Sequence, residues 1–339
     1  MKYWELLRCV SRDKRSPNDI MLHCIKMEFQ AQTMNGKDRL GILIPASKQS
    51  GLGHFYRTLP IYEWDPGILY LSYDPLIQQL GVRNLKLELG DEPPLLEQLK
   101  QAQITSLYID HYSLGSEVLR LLSEQTDIYC TYFDGDFQNP AFPALINSNP
   151  YASVSSYETC DSEKKYFLGS SYFLLRKEIR KWKGTAKDDA CFICFGGTDA
   201  SGQTLEILPG LSKEKHYKIV LGMAAGEKYV DKVRSEIEGL GLNAALYSDP
   251  PDFFSLLASC RSAILSCSTI AQEALFLDVQ VHCVVVAENQ RRLSTFFKLN
   301  GIPVSEAGQL PKGRELRFGK LKMRFGENEK KLKKHLLRY

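Results

Sequence analysis

From residue 40 onward, short apolar runs alternate with amphipathic stretches, the pattern of strands giving way to helices in a repeating βα chain. Apolar runs at residues 40–45, 68–73, 107–112 and 128–133 predict short buried strands. The stretches between them predict helices over 55–64, 95–103 and 116–125, the second introduced by Pro93-Pro94. A polar region at 147–156 breaks this rhythm, and a lysine-rich stretch at 177–189 carrying Gly184 reads as a linker. Beyond it the alternation resumes, with strands at 190–195, 217–221, 244–247, 262–267 and 281–286 and helices at 201–208, 227–238, 251–260 and 269–277. The expectation is α/β: two doubly wound domains, at 39–180 and 188–300, each on a parallel sheet. Residues 1–38 fit no βα unit and read as an N-terminal extension, and residues 301–339 as a basic C-terminal segment.

Composition narrows the class. With 339 residues, 44% hydrophobic and 24% charged, the chain is long enough for two globular domains. No run reaches the roughly 18 apolar residues of a membrane span, and residues 1–38 lack the basic-then-apolar layout of a secretory signal, so the expectation is a cytoplasmic protein with no integral membrane association. Nine cysteines, several inside apolar runs (Cys130, Cys191, Cys194, Cys267, Cys283), read as reduced core residues rather than disulfides or metal ligands. The net charge of +3 conceals a tail, 312–339, with eleven Lys and Arg against three Glu. That tail suits the solvated face of a terminal helix, or a weak contact with an anionic surface; without an aromatic-rich basic groove elsewhere, nucleic acid is not an expected partner.

Candidate chemistry gathers where predicted strands end. In Ser50-Gly51-Leu52-Gly53-His54-Phe55-Tyr56-Arg57 the glycines let backbone approach a ligand, the helix start supplies N–H groups, and a neutral His54 can take a proton from water. The same histidine also suits a capping or packing role. Phe195-Gly196-Gly197-Thr198-Asp199-Ala200-Ser201 suits a diphosphate cradle with Asp199 as helix cap, or an ordinary strand-to-helix turn. Ser268-Thr269 opens the next such helix, and Glu273 one turn on can accept both ribose hydroxyls of a nucleotide or serve only a local cap. Glu288-Asn289-Gln290 lies at a strand end where α/β sheets place ligands, or in a solvated loop. Asp110 and His111 suit a proton-handling pair, but neighbours on a strand point to opposite faces, so at most one aims at a given site unless the strand has ended. Asp134 and Asp136 suit a metal-binding pair or a turn around Gly135; no metal is the expectation. Walker A, GxGxxG and GxSxG motifs are all missing, which removes the main support for kinase, dehydrogenase and Ser-His-Asp hydrolase readings.

Taken in order, Gly51 to Arg57, Ile109-Asp110-His111-Tyr112, Phe195 to Asp199, Ser268-Thr269 with Glu273, and Glu288-Asn289-Gln290 resemble the UDP-2,4-diacetamido-2,4,6-trideoxy-β-L-altropyranose hydrolases of pseudaminic acid biosynthesis and the related spore-coat polysaccharide proteins. The resemblance spans about 40–300 and implies a GT-B-like fold, two Rossmann-like domains facing each other across a cleft. It implies a UDP-sugar substrate, no cofactor, and His54 as general base on a water that attacks the anomeric carbon with inversion. Gly196, Gly197, Thr198, Ser268, Thr269 and Glu273 would hold the nucleotide, and Gly53, Arg57, Asp110, Tyr112, Asn289 and Gln290 the sugar. Ile44, Pro45 and Lys48 depart from the Arg and Asp that such proteins often carry there. A GT-B glycosyltransferase, with a sugar or lipid hydroxyl in place of water, is the alternative; a third is a nucleotide-sugar-binding protein without turnover.

Overall fold

The computed structural model describes residues 39–45, 52–87, 95–111, 114, 118–119, 122–123, 128–131, 144–154, 165–311 and 316–337. Two all-parallel sheets organise them. The first comprises β1 (Arg39–Leu43), β2 (Leu69–Ser72), β3 (Asn84–Lys86), β4 (Ile104–Ile109), β5 (Ile128–Thr131), β6 (Ala144–Asn147) and β7 (Lys165–Leu168), in the order β3-β2-β1-β4-β5-β6-β7. Its helices include α1 (Gly53–Tyr62) and α2 (Leu95–Gln101). The second is built from β8 (Asp188–Cys194), β9 (Tyr217–Leu221), β10 (Ala244–Ser248), β11 (Cys260–Ser266), β12 (Gln280–Val285) and β13 (Val304–Glu306), in the order β10-β9-β8-β11-β12-β13. With it go α3 (Gln203–Ile207), α4 (Glu227–Leu240), α5 (Phe253–Ser259), α6 (Thr269–Phe276) and α7 (Arg291–Leu299), and a final helix, α8 (Glu329–Leu336), follows. Both sheets reverse their winding beside the first strand, between β1 and β4 and between β8 and β11, where doubly wound sheets open a ligand crevice.

The central strands are largely apolar because both faces of each sheet are packed into a core. In β8, Ala190, Phe192 and Cys194 join one core and Cys191, Ile193 and Phe195 the other. This alternation turns Cys191 and Cys194 to opposite sides of the sheet despite their C-x-x-C spacing, and Cys191, Cys194, Cys260, Cys267 and Cys283 are buried and unbridged. β1 divides in the same way, Leu40, Ile42 and Ile44 against Leu43.

The passage between the lobes falls ahead of the lysine-rich 177–189 stretch. Tyr172 and Leu174 pack into the first lobe while Phe173 and Leu175 pack into the second, and Ile179 already belongs to the second core. A strap that fills two cores is apolar, so composition pointed past it to the exposed lysines. The 301–339 segment also differs from expectation. β13 extends the second sheet through Val304–Glu306, and α8 returns to the first lobe, burying Leu332 and Leu336 in its core. Among the described residues no helix is long and apolar enough to cross a membrane.

Leu332→Ala should therefore lower stability by about 2–4 kcal/mol, the usual cost of such a core cavity, while Lys334→Ala on the exposed face stays within about 0.5 kcal/mol. Denaturant midpoints of the two variants check this; equal midpoints would detach α8 from the first-lobe core.

Candidate active site

His54 stands at the second position of α1, directly beyond β1, and Asp110 follows the last residue of the neighbouring β4. The reversal between these two strands brings their ends together. His54 Nδ1 lies 3.0 Å from Asp110 Oδ1, and Arg57, one turn along α1, donates from Nε to Oδ2 and from Nη2 to Oδ1 at 2.5 Å each. Arg57 Nη2 also lies 2.9 Å from His54 Nδ1. A carboxylate only accepts and a guanidinium only donates; Arg57 Nη2 has its shorter bond to Asp110 Oδ1, so the Nδ1–Oδ1 contact is assigned as the hydrogen bond of the ring, with the proton on Nδ1 and the lone pair on Nε2. Asp110 has no solvent exposure and His54 is 5% exposed. Burial alone would raise the Asp110 carboxyl, but the Arg57 guanidinium, together with His54, outweighs it and brings the value to about 2. The His54 imidazole is held below its ordinary value, first by burial and then by the charge of Arg57, against the opposing pull of Asp110. The His54 ring is therefore neutral at pH 7.

Across the cleft, the second sheet repeats the device. β8 runs into Gly196-Gly197-Thr198, and β11 into Ser268 and α6. The turn is held from behind by Asp199, whose carboxylate accepts the N–H groups of Gln203 and Thr204 at 3.0 Å each and the Tyr229 hydroxyl at 2.6 Å. Asp199 thus caps the helix start, as its position suggested. Glycine is required here by contact. A Cβ on Gly222 would lie 2.4 Å from Gly197 Cα, and one on Gly197 would lie 2.9 Å from Leu52 Cδ1 of the first lobe.

Two adjoining cavities, of about 210 and 280 Å³, occupy the cleft. Gly53, Gly196, Gly197, Ser268 and Thr269 border both. The first also meets His54, Arg57, Thr198, Asn289 and Gln290, so the structure gathers most of the sequence-predicted residues around it. Its described lining contains no carboxylate. Glu273 instead borders the second, more apolar cavity with Tyr56, Phe253, Phe254 and Asp249.

Several expected roles shift. Arg57 is bound to Asp110, and Asp110 lies behind His54 rather than on the cavity wall. Gln290 spends its Oε1 on the Val286 N–H at 2.9 Å. Glu273 receives a two-pronged bond from Arg176 of the strap, Nε to Oε1 at 2.8 Å and Nη2 to Oε2 at 2.7 Å. Arg176 lies among the rings of Tyr56, Phe253 and Phe254, 4.2 to 5.7 Å from their centroids, so it ties α1 to α5 and α6. No motif flagged Arg176, because its partner is 97 residues away. Gln272, also unflagged, borders the first cavity one residue before Glu273. Gly51, Tyr112, Asp134 and Asp136 lie outside the described residues, among which no group of three His, Cys, Asp or Glu could hold a metal ion.

With this geometry in place, known proteins can be set beside it. The MurG protein of Acinetobacter baumannii superposes with a TM-score of 0.52 at 10% identity, covering 80% of this chain and 86% of that one. A UDP-glucosyltransferase of Polygonum tinctorium gives 0.51 at 11% identity, covering 90% and 94%. The chain has the GT-B fold. In sequence it is 26% identical over 265 residues to the UDP-2,4-diacetamido-2,4,6-trideoxy-β-L-altropyranose hydrolase of Campylobacter jejuni, covering 76% of this chain and 96% of that protein. The resemblance read from the motifs is therefore also a similarity over most of the chain. No protein-family model matches it.

The Asp110 cluster predicts an acid limb. A folded value of about 2 against an ordinary 3.8 means stability that is present above pH 4 and lost as pH falls toward 2. The amount is about 2 kcal/mol, and Asp110→Asn should remove that part of the pH dependence. Imidazole NMR should place the His54 midpoint below 6.5, and Arg57→Gln should move it upward. A His54 midpoint above 6.5 in the unaltered protein would contradict the assigned neutral base.

Proposed function

We propose that this protein is an enzyme acting on a UDP-sugar, and that it hydrolyses the glycosyl-phosphate bond with His54 as general base. The observation that carries the reading is a buried, neutral imidazole, oriented by Asp110, on the wall of a cavity free of described carboxylates that also meets the Gly196-Gly197-Thr198 turn and the start of α6. Nε2 would take a proton from water as the water oxygen attacks the anomeric carbon. The bond to the phosphate oxygen breaks, its electron pair leaves with UDP, and attack from the opposite face inverts the sugar.

The two cavities suggest how the substrate lies. A diphosphate belongs where no carboxylate repels it, against the backbone N–H groups of residues 196–198 and Thr269 and the Thr198, Ser268 and Thr269 hydroxyls. The nucleoside would extend into the second cavity, where Glu273 keeps lone pairs for the ribose hydroxyls although Arg176 occupies one position on each oxygen. The sugar would then face His54, Gly53, Asn289 and Gln290. Similarity to a relative named as a UDP-sugar hydrolase, over nearly its whole length, supports the same class. Surface-polysaccharide or nonulosonic (pseudaminic) acid synthesis in the cytoplasm belongs to the same proposal, as does the division into catalytic and nucleotide-binding lobes.

Incubation with UDP-2,4-diacetamido-2,4,6-trideoxyhexose or UDP-N-acetylglucosamine and no acceptor should release UDP and free sugar in equal amounts. His54→Asn should lower turnover by about 10²-fold or more while the Kd for UDP stays within about twofold. Release of UDP only when an acceptor alcohol is added would make the protein a transferase, and failure to bind UDP at all would sink both readings. Gly222→Ala, by pushing on Gly197, should weaken UDP binding while leaving His54 in place.

A further inference from the structure

Helix α6 divides the cleft, because consecutive helical residues diverge by about 100° around the axis. Glu273 borders the nucleoside-side cavity and Gln272 the cavity of His54. Gln272 is 2% exposed, and its Oε1 is buried with no hydrogen-bond partner among the described residues. Buried side-chain oxygens are nearly always met by a donor, and Gln272 borders a cavity, so its unmet Oε1 marks a donor that arrives with the ligand and is met by a turn of the amide about its terminal torsion. The same wall carries Ser266, Ser268, Asn289 and Gln290. Ser266 and Ser268 hydroxyls bond each other at 2.9 Å, and Gln290 Oε1 is taken by backbone. Neither pairing supplies the donor that the Gln272 amide lacks.

We infer that Gln272 is a specificity-determining residue: its amide accepts a hydrogen bond from an N–H or O–H substituent on the sugar ring, on the side of α6 away from the nucleoside. This deepens the UDP-sugar reading above and rests on it. An acceptor that needs a ligand donor discriminates strongly against a sugar that lacks one, since the buried oxygen is then left bare.

The test uses the full chain carrying His54→Asn, so that binding is measured without turnover. Calorimetry compares UDP, UDP-N-acetylglucosamine and UDP-glucose, before and after adding Gln272→Met, which keeps the size and removes the amide. The expected result is that at least one UDP-sugar binds more tightly than UDP, and that Gln272→Met weakens it about 10-fold or more while UDP stays within about twofold. Loss confined to UDP-N-acetylglucosamine assigns the donor to an amide N–H; loss with UDP-glucose as well assigns it to a hydroxyl. Should the Met variant melt earlier than its parent, Gln272→Leu replaces it. The inference is overturned if neither UDP-sugar binds more tightly than UDP, if the preference survives Gln272→Met, or if UDP itself weakens in a variant of unchanged melting temperature. Failure of the UDP-sugar reading is distinct, because then the His54→Asn chain binds no UDP.

Discussion

A carboxylate that no solvent reaches must be compensated where it stands, and Asp110 is such a group at the end of a central strand. Arg57 takes both of its oxygens and His54 shares one of them. Because His54 and Arg57 are three residues apart on α1, they present to Asp110 together, and the helix is thereby fastened to the strand end. The arrangement sets the imidazole in a particular way. Asp110 by itself would favour the charged ring; burial and the adjacent guanidinium reverse that, so the ring keeps its basic nitrogen. Arg57 thus holds the carboxylate ionised and the histidine neutral at once.

Topology explains why the opposing wall is built the same way. Each sheet reverses beside its first strand, and the residues beyond the two strands flanking that point come from distant parts of the chain but end side by side. In the first lobe they are His54 and Asp110; in the second they are the Gly196-Gly197-Thr198 turn and the Ser268-Thr269 junction. Leu52 meeting Gly197, and Gly197 meeting Gly222, fix how closely the walls approach. A side chain at either glycine would have to occupy space that backbone or Leu52 already fills.

Much of this was legible because buried parallel strands announce themselves as apolar runs, and because the residues that line the cavities follow those runs. The elements missed were those with little signal. β3 and β13 have three residues each, too few to show a period, while β6 runs into the polar 147–156 stretch and β7 opens on Lys165. α8 was read through its lysines, although Leu332 and Leu336 at helical spacing seat it in the first lobe. Roles were harder to read than positions. Arg57 and Asp110 were expected on the sugar, and their mutual pairing depends on a contact 53 residues long. β4 ends at Ile109, so Asp110 and His111 lie beyond the strand and its alternation does not choose between them; the contact with His54 does, and it falls to Asp110.

The two arginine–carboxylate pairs bear on what the cleft can accept. A site for a diphosphate must keep negative side chains away from the phosphates, yet carboxylates are useful for orienting a histidine and for taking up ribose hydroxyls. Here Asp110 lies behind His54 under Arg57, and Glu273 lies across α6 under Arg176. Each keeps its hydrogen-bonding capacity while its charge is met locally by a guanidinium. Arg176 also belongs to the strap that crosses between the lobes, stacked near Tyr56 of α1, so Glu273 and the helix that carries His54 share one anchoring residue. A displacement of the strap would therefore reach Glu273 and the helix that carries His54 together.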